Sequence, residues 1–381
     1  MRFLPFVLKN LMRRKARSIL TIGGVAVAVG AVVALLGITV GFEQMFGDLY
    51  KKRGVAILVV QAGKTDRLSS FIDETLAENM WRPGVKSVTP GLVDFYNYTP
   101  PGEGGLVGNP LTVPLQGWDP DSILFQDVRM LSGRRITHDD RRGVMLGMIL
   151  AKNLDKKVGD IVDVYDNQFE VVGIYESFNL LENSSMVLPI KELQKLIGQE
   201  GKVSGFQIGV DDPSDKESID RIRREIDGLG IGVSAMATDD YIASTSQIRL
   251  AHAMTWVTSI IALIIGVIGI LNTMVMSVLE RTREIGILRA IGWRQSRVMR
   301  MILSESLLLS VAGAIVGAAG AWIVVNILSM TPACSGFISG RLEWPVVIKG
   351  FLIALAVGLV GGVYPALRAA HLLPTEALRH E

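Results

Sequence analysis

The sequence predicts an α-helical membrane protein with four transmembrane helices and one extracytoplasmic α/β domain. Three observations predict this fold class: four long apolar stretches nearly free of charge, arginines and lysines gathered beside alternate ends of those stretches, and a long insert of ordinary soluble composition. Of the 381 residues, 49% are hydrophobic and only 20% are charged, against about 25% charged in a typical soluble domain. The low charge indicates that membrane and soluble parts share one chain.

Four stretches are long enough to cross a bilayer, namely residues 19–42, 253–279, 306–330 and 346–366. About 20 apolar residues in a helix span the hydrocarbon core, whereas a buried core helix is typical of shorter runs. The fourth stretch contains Lys349, but this lysine lies in the first turn, from which its ammonium can reach the interface. The first stretch exceeds the roughly 7–15 apolar residues of a cleavable signal, so we expect a retained anchor.

The basic residues beside the stretches predict their orientation. Residues 1–18 contain six basic residues and no acidic one, and residues 280–305 contain six arginines. The short loop 331–345 contains a single arginine, balanced by a glutamate. We therefore expect the protein to lie in the inner (plasma) membrane. Both termini, including residues 367–381, and the 280–305 segment are expected to be cytoplasmic. Residues 43–252 and the short loop then lie outside the cytoplasm.

The large insert has the alternating pattern of an α/β domain. Residues 55–61 form a short apolar run typical of a buried strand, and 161–175 alternate on both sides of Asp166-Asn167, which predicts a hairpin. Helical periodicity fits residues 68–80, 190–197 and 214–226. The Pro- and Gly-rich residues 100–105 predict a loop, and residues 238–249 are expected to enter the second span as one continuous helix.

Two segments are reminiscent of nucleotide-binding motifs without completing them. Ala62-Gly-Lys-Thr65 follows a predicted strand, but a phosphate-binding loop needs a glycine five positions before Gly63, and Leu58 stands there. Leu131-Ser-Gly133 resembles the start of an ATPase signature, but two arginines follow it. We therefore expect no ATP hydrolysis and no bound cofactor in this chain.

Other catalytic and metal-binding patterns are equally incomplete. His138 stands beside Asp139 and Asp140, but no second histidine lies at ligand spacing, so a solvated turn is expected and no metal site. The single cysteine, Cys334, excludes an internal disulfide and is more typical of a small apolar filler than of a reactive thiol. A net charge of +2 argues against a nucleic-acid binder.

The cytoplasmic segment between the second and third spans has an amphipathic pattern. Ile285, Leu288 and Ile291 recur every third residue and form one apolar stripe, with arginines elsewhere. Such a helix can lie on anionic headgroups of the lipid bilayer or dock in the groove of a partner, and both can hold at once. Within the spans, glycines four apart (Gly313 and Gly317) allow close helix packing, either inside one chain or between two copies. The same alternatives apply to Gly358 and Gly362.

Several of these segments together resemble one family. Residues 280–293, which read ERTREIGILRAIGW, resemble the cytoplasmic signature of the MacB/FtsX-like permeases, the membrane subunits of type VII ABC systems. Trp293 departs from that signature, which usually ends in a small residue. The other similar segments are the entry helix at 10–21, the periplasmic core segments 131–136 and 143–160, and the carboxyl-terminal 361–370 and 374–379. The resemblance covers essentially the whole chain.

The resemblance implies a permease subunit of an ABC-type efflux or extraction system. In this family the permease transmits ATP-driven motion of a cytoplasmic ATPase to its MacB-type periplasmic domain, and ATP is bound by that partner. The resemblance also implies a second permease chain, as a homodimer, and a periplasmic adaptor of the membrane fusion class. Macrolide exporters carry a fused ATPase domain ahead of the first span, whereas 18 residues precede the first span in this sequence. The ATPase is therefore expected on a separate chain. The residues implied to contact the ATPase are Arg281, Arg283, Glu284, Ile285, Leu288 and Ile291.

Two alternatives stay open at this point. One is an FtsX-like transmitter that activates a periplasmic partner such as a cell-wall hydrolase and moves no substrate. The other is a membrane-anchored ligand sensor, which would need a cytoplasmic output domain larger than the short cytoplasmic segments of this sequence. Substrate and direction of movement do not follow from the residues.

Overall fold

The computed structural model describes residues 15–99, 111–332, 334–335, 337–338 and 342–373, so the predicted loop at 100–105 lies outside the described residues. The chain divides into two compact units. The described residues within 1–39, 252–327 and 340–381 form the helical unit, and those within 40–251 and 328–339 form the α/β unit. The predicted fold class, membrane helices with an α/β domain, is confirmed.

In chain order the helices are α1 (Lys15–Lys51), α2 (Met148–Asn153), α3 (Leu180–Asn183), α4 (Ile190–Leu196), α5 (Lys216–Asp227), α6 (Thr238–Ser244), α7 (Ser246–Glu280), α8 (Thr282–Ala290), α9 (Gln295–Met330) and α10 (Trp344–Ala370). Short 3-10 helices cover Glu74–Met80 and Ile123–Phe125. The strands are β1 (Val55–Gln61), β2 (Ile72–Asp73), β3 (Val85–Tyr98), β4 (Leu111–Trp118), β5 (Arg129–Gly133), β6 (Gly143–Gly147), β7 (Ile161–Val164), β8 (Asn167–Glu176), β9 (Met186–Pro189), β10 (Lys202–Val203), β11 (Gly205–Val210) and β12 (Val233–Ala237).

Four helices of the described chain, α1, α7, α9 and α10, are long and apolar enough to cross a membrane. Each of the four predicted stretches lies inside one of them. Helices α1 and α7 have 37 and 35 residues, or about 55 and 52 Å at ~1.5 Å per residue. A hydrocarbon core is only ~30 Å thick, so both helices are longer than a bilayer crossing requires.

The glycines of the helical unit hold its helices close together. A Cβ atom added at Gly317 on α9 would lie 2.5 Å from the carbonyl oxygen of Ala26 on α1, and one at Gly30 would lie 2.9 Å from the Gly317 carbonyl oxygen. Gly358 and Gly362 on α10 face side chains of α9 in the same way. These close approaches require residues without a side chain. Of the two alternatives for these glycines, the structure therefore shows packing within one chain.

The α/β unit is built on a ten-stranded sheet with the order β12-β1-β11-β3-β4-β9-β6-β8-β5, in which β7 also pairs with β8. The pairs β4–β9 and β6–β8 are parallel and the others are antiparallel. Strand β1 is buried because Ile57, Leu58, Val59 and Val60 leave no polar face. The amphipathic helix α5 packs on the sheet through an apolar face formed by Ile219, Ile222 and Ile226.

Most of the elements predicted in the insert are confirmed, with shifted ends. Strand β1 and helix α4 lie where they were expected. Helix α5 begins later than predicted, because the Asp215 side chain accepts hydrogen bonds from the first free N–H groups. The β7–β8 hairpin turns at Tyr165 and Asp166, whose φ angles of 51° and 59° fit a type I′ turn.

Two predictions in this region are wrong. Residues 68–80 do not form an α-helix: Ile72 pairs with Val203 in a small sheet, and the Asp73 side chain then starts a 3-10 helix. Residues 238–249 are not one continuous helix either. Helix α6 ends at Ser244, and Thr245 has the extended angles φ −58° and ψ 129° before α7 begins. The Thr245 hydroxyl donates to the carbonyl oxygen of Tyr241 at 2.8 Å, which gives the backbone an alternative to continuing the helix.

Candidate functional site

The amphipathic segment folds as helix α8 and ends in a tight turn. Gly292 has φ +93°, a left-handed conformation that glycine adopts without strain. The Trp293 N–H donates to the Leu288 carbonyl oxygen and the Gly292 N–H to that of Arg289, each at 3.1 Å. This pair of hydrogen bonds is a Schellman motif. The Ile-Gly-Trp end of the cytoplasmic signature therefore has a structural cause, because it closes α8 before α9 begins.

The side chains around this turn reinforce it. Arg289 donates from Nη1 to the Trp293 carbonyl oxygen at 2.9 Å, and the Arg297 guanidinium lies over the Trp293 ring at 5.5 Å from its centre. A guanidinium above an indole face is attracted by the ring quadrupole. Trp293 thus has a contact in this chain that the small residue usual at its position could not make.

The structure divides the six residues implied to contact an ATPase. Ile285 is buried at 2% exposure, and Arg281 lies 3.5 Å from Glu305 with both side chains largely buried. Leu288 is half-buried. Arg283, Glu284 and Ile291 are exposed, Ile291 to 70%. Arg281 and Ile285 therefore contact other parts of this chain, while the remaining residues leave side-chain surface open.

A further exposed residue, Ile287, was missed in the sequence. It is 47% exposed, and Arg283, Ile287 and Ile291 follow one another at four-residue spacing, so they share one side of α8. We name Arg283, Glu284, Ile287 and Ile291 the coupling face. The four-residue spacing was visible in the sequence. The three-residue stripe is not uniform in the structure, because Ile285 is buried, Leu288 is half-buried and Ile291 is exposed.

Helices α1 and α7 run antiparallel and are joined by two hydroxyl pairs. Thr21 and Thr273 lie 2.8 Å apart between their Oγ1 atoms, as do Thr39 and Thr255. The two threonines on each helix are separated by about five helical turns, so both pairs lie on the same side of each helix. Between them, small residues of the two helices meet, since Ala28 and Ala262 belong to one buried cluster. Nothing in the sequence of either span marks its partner, so this contact was not predicted.

The outer ends of α1 and of the α6–α7 segment lie in one core of the α/β unit. Leu49 and Tyr50 from α1 pack with Tyr241 and Ile248, and the Tyr50 and Tyr241 rings meet edge to face at 6.0 Å. The Thr238 hydroxyl donates to the carbonyl oxygen of Val55 at 2.7 Å. The outer ends of α1 and of the α6–α7 segment are therefore part of the folded α/β unit.

A buried ion pair fixes the chain immediately after α1. Arg53 and Glu182 have side chains only 3% and 1% exposed, and the guanidinium donates to both carboxylate oxygens. Glu182 also accepts from the Ser177 hydroxyl at 2.5 Å, and the Arg53 guanidinium lies 5.8 Å from the Trp118 ring centre. Because the two partners are far apart in sequence, no pattern in the sequence indicated the pair.

The residues around His138 do not form the cluster considered in the sequence. His138 faces Asp121 at 3.0 Å, which raises the pKa of the imidazole, and both side chains are exposed. Asp140 is instead held by Arg134, whose Nη1 and Nη2 donate to its two oxygens at 2.6 and 2.7 Å. Arg134 lowers the pKa of Asp140 to about 2. Arg134 thus braces a turn at the edge of the sheet.

These features define a membrane protein with four long apolar helices, a short amphipathic helix between the second and third of them, and an α/β domain. Two family descriptions match it: the MacB-like periplasmic core domain over residues 18–229, and the FtsX-like permease C-terminal domain over residues 256–374. The chain belongs to the ABC transporter permeases of the MacB/FtsX type. As a member it is a membrane protein with an extracytoplasmic domain, and its family implies an ATPase partner.

Proteins with similar sequences are named as ABC transporter permeases or macrolide exporters. The chain is 27% identical to the uncharacterized ABC transporter permease MJ1507 of Methanocaldococcus jannaschii, over 99% of this chain and 98% of that protein. It is 27% identical to the uncharacterized permease YknZ of Bacillus subtilis, over 98% of each chain. It is 24% identical to the macrolide export ATP-binding/permease protein MacB of Bdellovibrio bacteriovorus, of which it spans 61%.

Two solved outer domains also match part of the chain. The periplasmic region of MacB from Actinobacillus actinomycetemcomitans covers 49% of this chain and 90% of its own, at 16% identity and a TM-score of 0.38. The extracellular domain of YknZ from Gram-positive bacteria covers 48% of this chain and 99% of its own, at 18% identity and a TM-score of 0.37.

Proposed function

We propose that this permease transmits ATP-driven motion of a cytoplasmic ATPase to its outer α/β domain. The observation that carries the proposal is the continuity of α1 and α7. Each is longer than a bilayer crossing requires, the two are joined by the Thr21–Thr273 and Thr39–Thr255 contacts, and the outer end of each belongs to the core of the α/β unit. A displacement at the inner end of such a helix pair reaches the outer end with little loss.

The input of this motion is the coupling face on α8. Its two exposed isoleucines offer an apolar surface to a groove, and Arg283 and Glu284 flank that surface with opposite charges. On the inner side of α8, Ile285 is buried and Arg281 at the end of α7 pairs with Glu305 of α9. A partner that moves α8 therefore also moves the adjoining ends of α7 and α9.

The arrangement of the wider complex follows the family resemblance. We propose cytoplasmic termini, ATP bound by the ATPase, a second copy of the permease and a periplasmic adaptor. Relatives named as macrolide exporters support efflux or extraction as the task.

The docking step is tested by single substitutions on the coupling face. Ile291→Asp and Arg283→Glu should abolish co-purification of the ATPase from native membranes while the permease still inserts. The matched control is Ile161→Asp, which places the same charge on an isoleucine that is 52% exposed in the outer domain. Retention of the ATPase by both coupling-face variants would rule out this surface as the docking site.

The transmission step needs a separate readout. Adding ATP to the purified complex should change hydrogen exchange in the outer domain, at amides of β1 and α6 next to the ends of the long helices. If the ATPase stays bound and hydrolyses ATP while exchange in the outer domain is unchanged, docking stands and mechanical transmission does not.

A further inference from the structure

Two exposed arginines lie side by side at the start of α9. Arg297 and Arg300 stand three residues apart in its first two turns, so they are neighbours on the helix surface. Residues 295–304 contain no acidic residue, and the next one, Glu305, is held by Arg281. Neither Arg297 nor Arg300 forms an ion pair with a carboxylate of the described residues. The start of α9 therefore presents two positive charges that are open to a partner.

The side of α9 that carries these arginines faces away from the rest of the helical unit. At ~3.6 residues per turn, Ile315 follows Arg297 by five full helical turns and Trp322 follows it by about seven. Ile315 is 63% exposed and Trp322 is 57% exposed, in a helix long and apolar enough to cross a membrane. The arginines therefore continue the apolar outward side of α9 beyond the end of its span.

A third exposed arginine lies at the same height on α10. Helices α9 and α10 run antiparallel, and a Cβ atom added at Gly362 would meet the Ser306 side chain. Arg368 stands six residues beyond Gly362, and Arg300 stands six residues before Ser306, so the two arginines are level. Arg368 is exposed and forms no ion pair with a carboxylate of the described residues. Tyr364, one turn before it, is 55% exposed on the same side of α10.

This height is that of the lipid headgroups. The apolar stretch 346–366 ends two residues before Arg368, or about 3 Å at ~1.5 Å per residue. A bilayer of ~40–45 Å with a hydrocarbon core of ~30 Å has a headgroup region of ~5–8 Å on each side. An exposed tyrosine such as Tyr364 is typical of this region, and arginine side chains are long enough to reach its phosphates.

We propose that Arg297, Arg300 and Arg368 bind the headgroups of anionic phospholipids in the leaflet at the start of α9. In the proposed orientation this is the cytoplasmic leaflet. A guanidinium pairs with phosphate through two parallel hydrogen bonds, and basic residues at this depth are attracted to anionic lipids. A lipid fits better than an acidic protein surface, because the arginines of α9 continue its apolar outward side. Lipid binding does not depend on ATPase docking.

The test titrates the full chain in detergent, without ATPase, with phosphatidylglycerol and measures the complexes by native mass spectrometry. Arg297→Gln with Arg300→Gln should weaken binding roughly twenty-fold, and Arg368→Gln roughly fivefold, at about fivefold for each arginine near an anionic headgroup. Replacing the two arginines of α9 by lysine keeps both charges and should retain most of the affinity. The matched control, Arg141→Gln with Arg142→Gln, removes two exposed arginines of the α/β unit and should leave binding unchanged.

Two further measurements separate a headgroup site from general lipid adhesion. Phosphatidylcholine with the same acyl chains has no net charge and should bind roughly twenty-fold more weakly than phosphatidylglycerol. Binding of phosphatidylglycerol should weaken as the salt concentration rises, since exposed charges are screened. Equal affinity for the two lipids, or equal effects of the α9 glutamine variant and the control, would overturn the proposal. Unchanged lipid binding by the α9 glutamine variant, with loss of the ATPase or of a second permease copy, would assign these arginines to a protein contact instead.

Discussion

At the scale of single residues, the Arg53–Glu182 pair is the most deeply buried ion pair among the described residues. Both side chains are almost completely buried, and each has several partners. Removing one member of such a pair is strongly destabilising because the other charge stays buried alone, whereas replacing both by apolar residues is often tolerated. The pair therefore fixes the outer end of α1 in a specific position in the sheet domain.

The first prediction concerns this pair. Glu182→Gln should lower the free energy of unfolding of the α/β unit by about 3–5 kcal/mol, because Arg53 loses its counter-charge. The double substitution Arg53→Met with Glu182→Leu should recover much of that loss. Hydrogen exchange of β4 and β9 amides measures both effects. As a control, Asp48→Asn breaks the half-exposed Asp48–Lys52 pair and should lower the free energy of unfolding by under about 1 kcal/mol. Equal losses from Glu182→Gln and Asp48→Asn would contradict the prediction.

The second prediction concerns pH and the Arg134–Asp140 brace. Asp140 has a pKa of about 2 in the folded chain, below the ~3.9 of an unfolded aspartate. Its contribution to stability is therefore complete above about pH 5 and disappears as the pH falls through about 2. The difference in unfolding free energy between the unsubstituted chain and Asp140→Asn should follow that course in denaturant titrations. A constant Asp140→Asn difference across this pH range would contradict the prediction.

At the scale of elements, the α1–α7 contact has an unusual regularity. The hydroxyl pairs lie about five helical turns apart on each helix, and Ala28, Val32 and Ala262 form a buried cluster between them. A hydrogen bond between membrane helices contributes only about 0.6 kcal/mol on average, so the pairs set the register of the helices more than their stability. A helix pair with fixed register moves as one body.

The third prediction tests this fixed register with cysteines. After Cys334→Ser removes the single native thiol, Thr39→Cys with Thr255→Cys should form a disulfide under mild oxidation, since the two hydroxyls lie 2.8 Å apart. Thr39→Cys with Val257→Cys should not, because Val257 is 58% exposed on another side of α7. The cross-linked protein should keep its ATP-dependent response in the outer domain. Loss of that response on cross-linking would mean that α1 and α7 slide past each other.

At the scale of the whole molecule, the parts predicted from sequence are those with a local cause. The absence of charge over more than 20 residues defines a span wherever it occurs, and the run Val55–Gln61 is apolar enough to specify a buried strand without its neighbours. The glycines of α9 and α10 were likewise predicted to be packing positions from local sequence, because they recur four residues apart within apolar stretches. Their partners on other helices could not be assigned, because residue type indicates close approach but not what approaches.

The parts that were missed depend on contacts between distant residues. Ile72 becomes a strand residue because Val203 pairs with it, which the helical period of its own segment contradicts. Arg53 is held by Glu182, a carboxylate 129 residues later in the chain, which no local pattern indicates. On α8, the sequence periodicity does not tell which residues are covered by the rest of the chain, and only the structure shows that Ile285 is buried while Ile287 and Ile291 are exposed.

The interruption at Thr245 has a consequence for the stiffness of the α/β unit. Helix α1 is continuous to Lys51, and Arg53 directly after it is held by Glu182, whereas α6 and α7 are separated by the non-helical Thr245. Within the α/β unit, the end of α1 should therefore be the stiffer of the two connections.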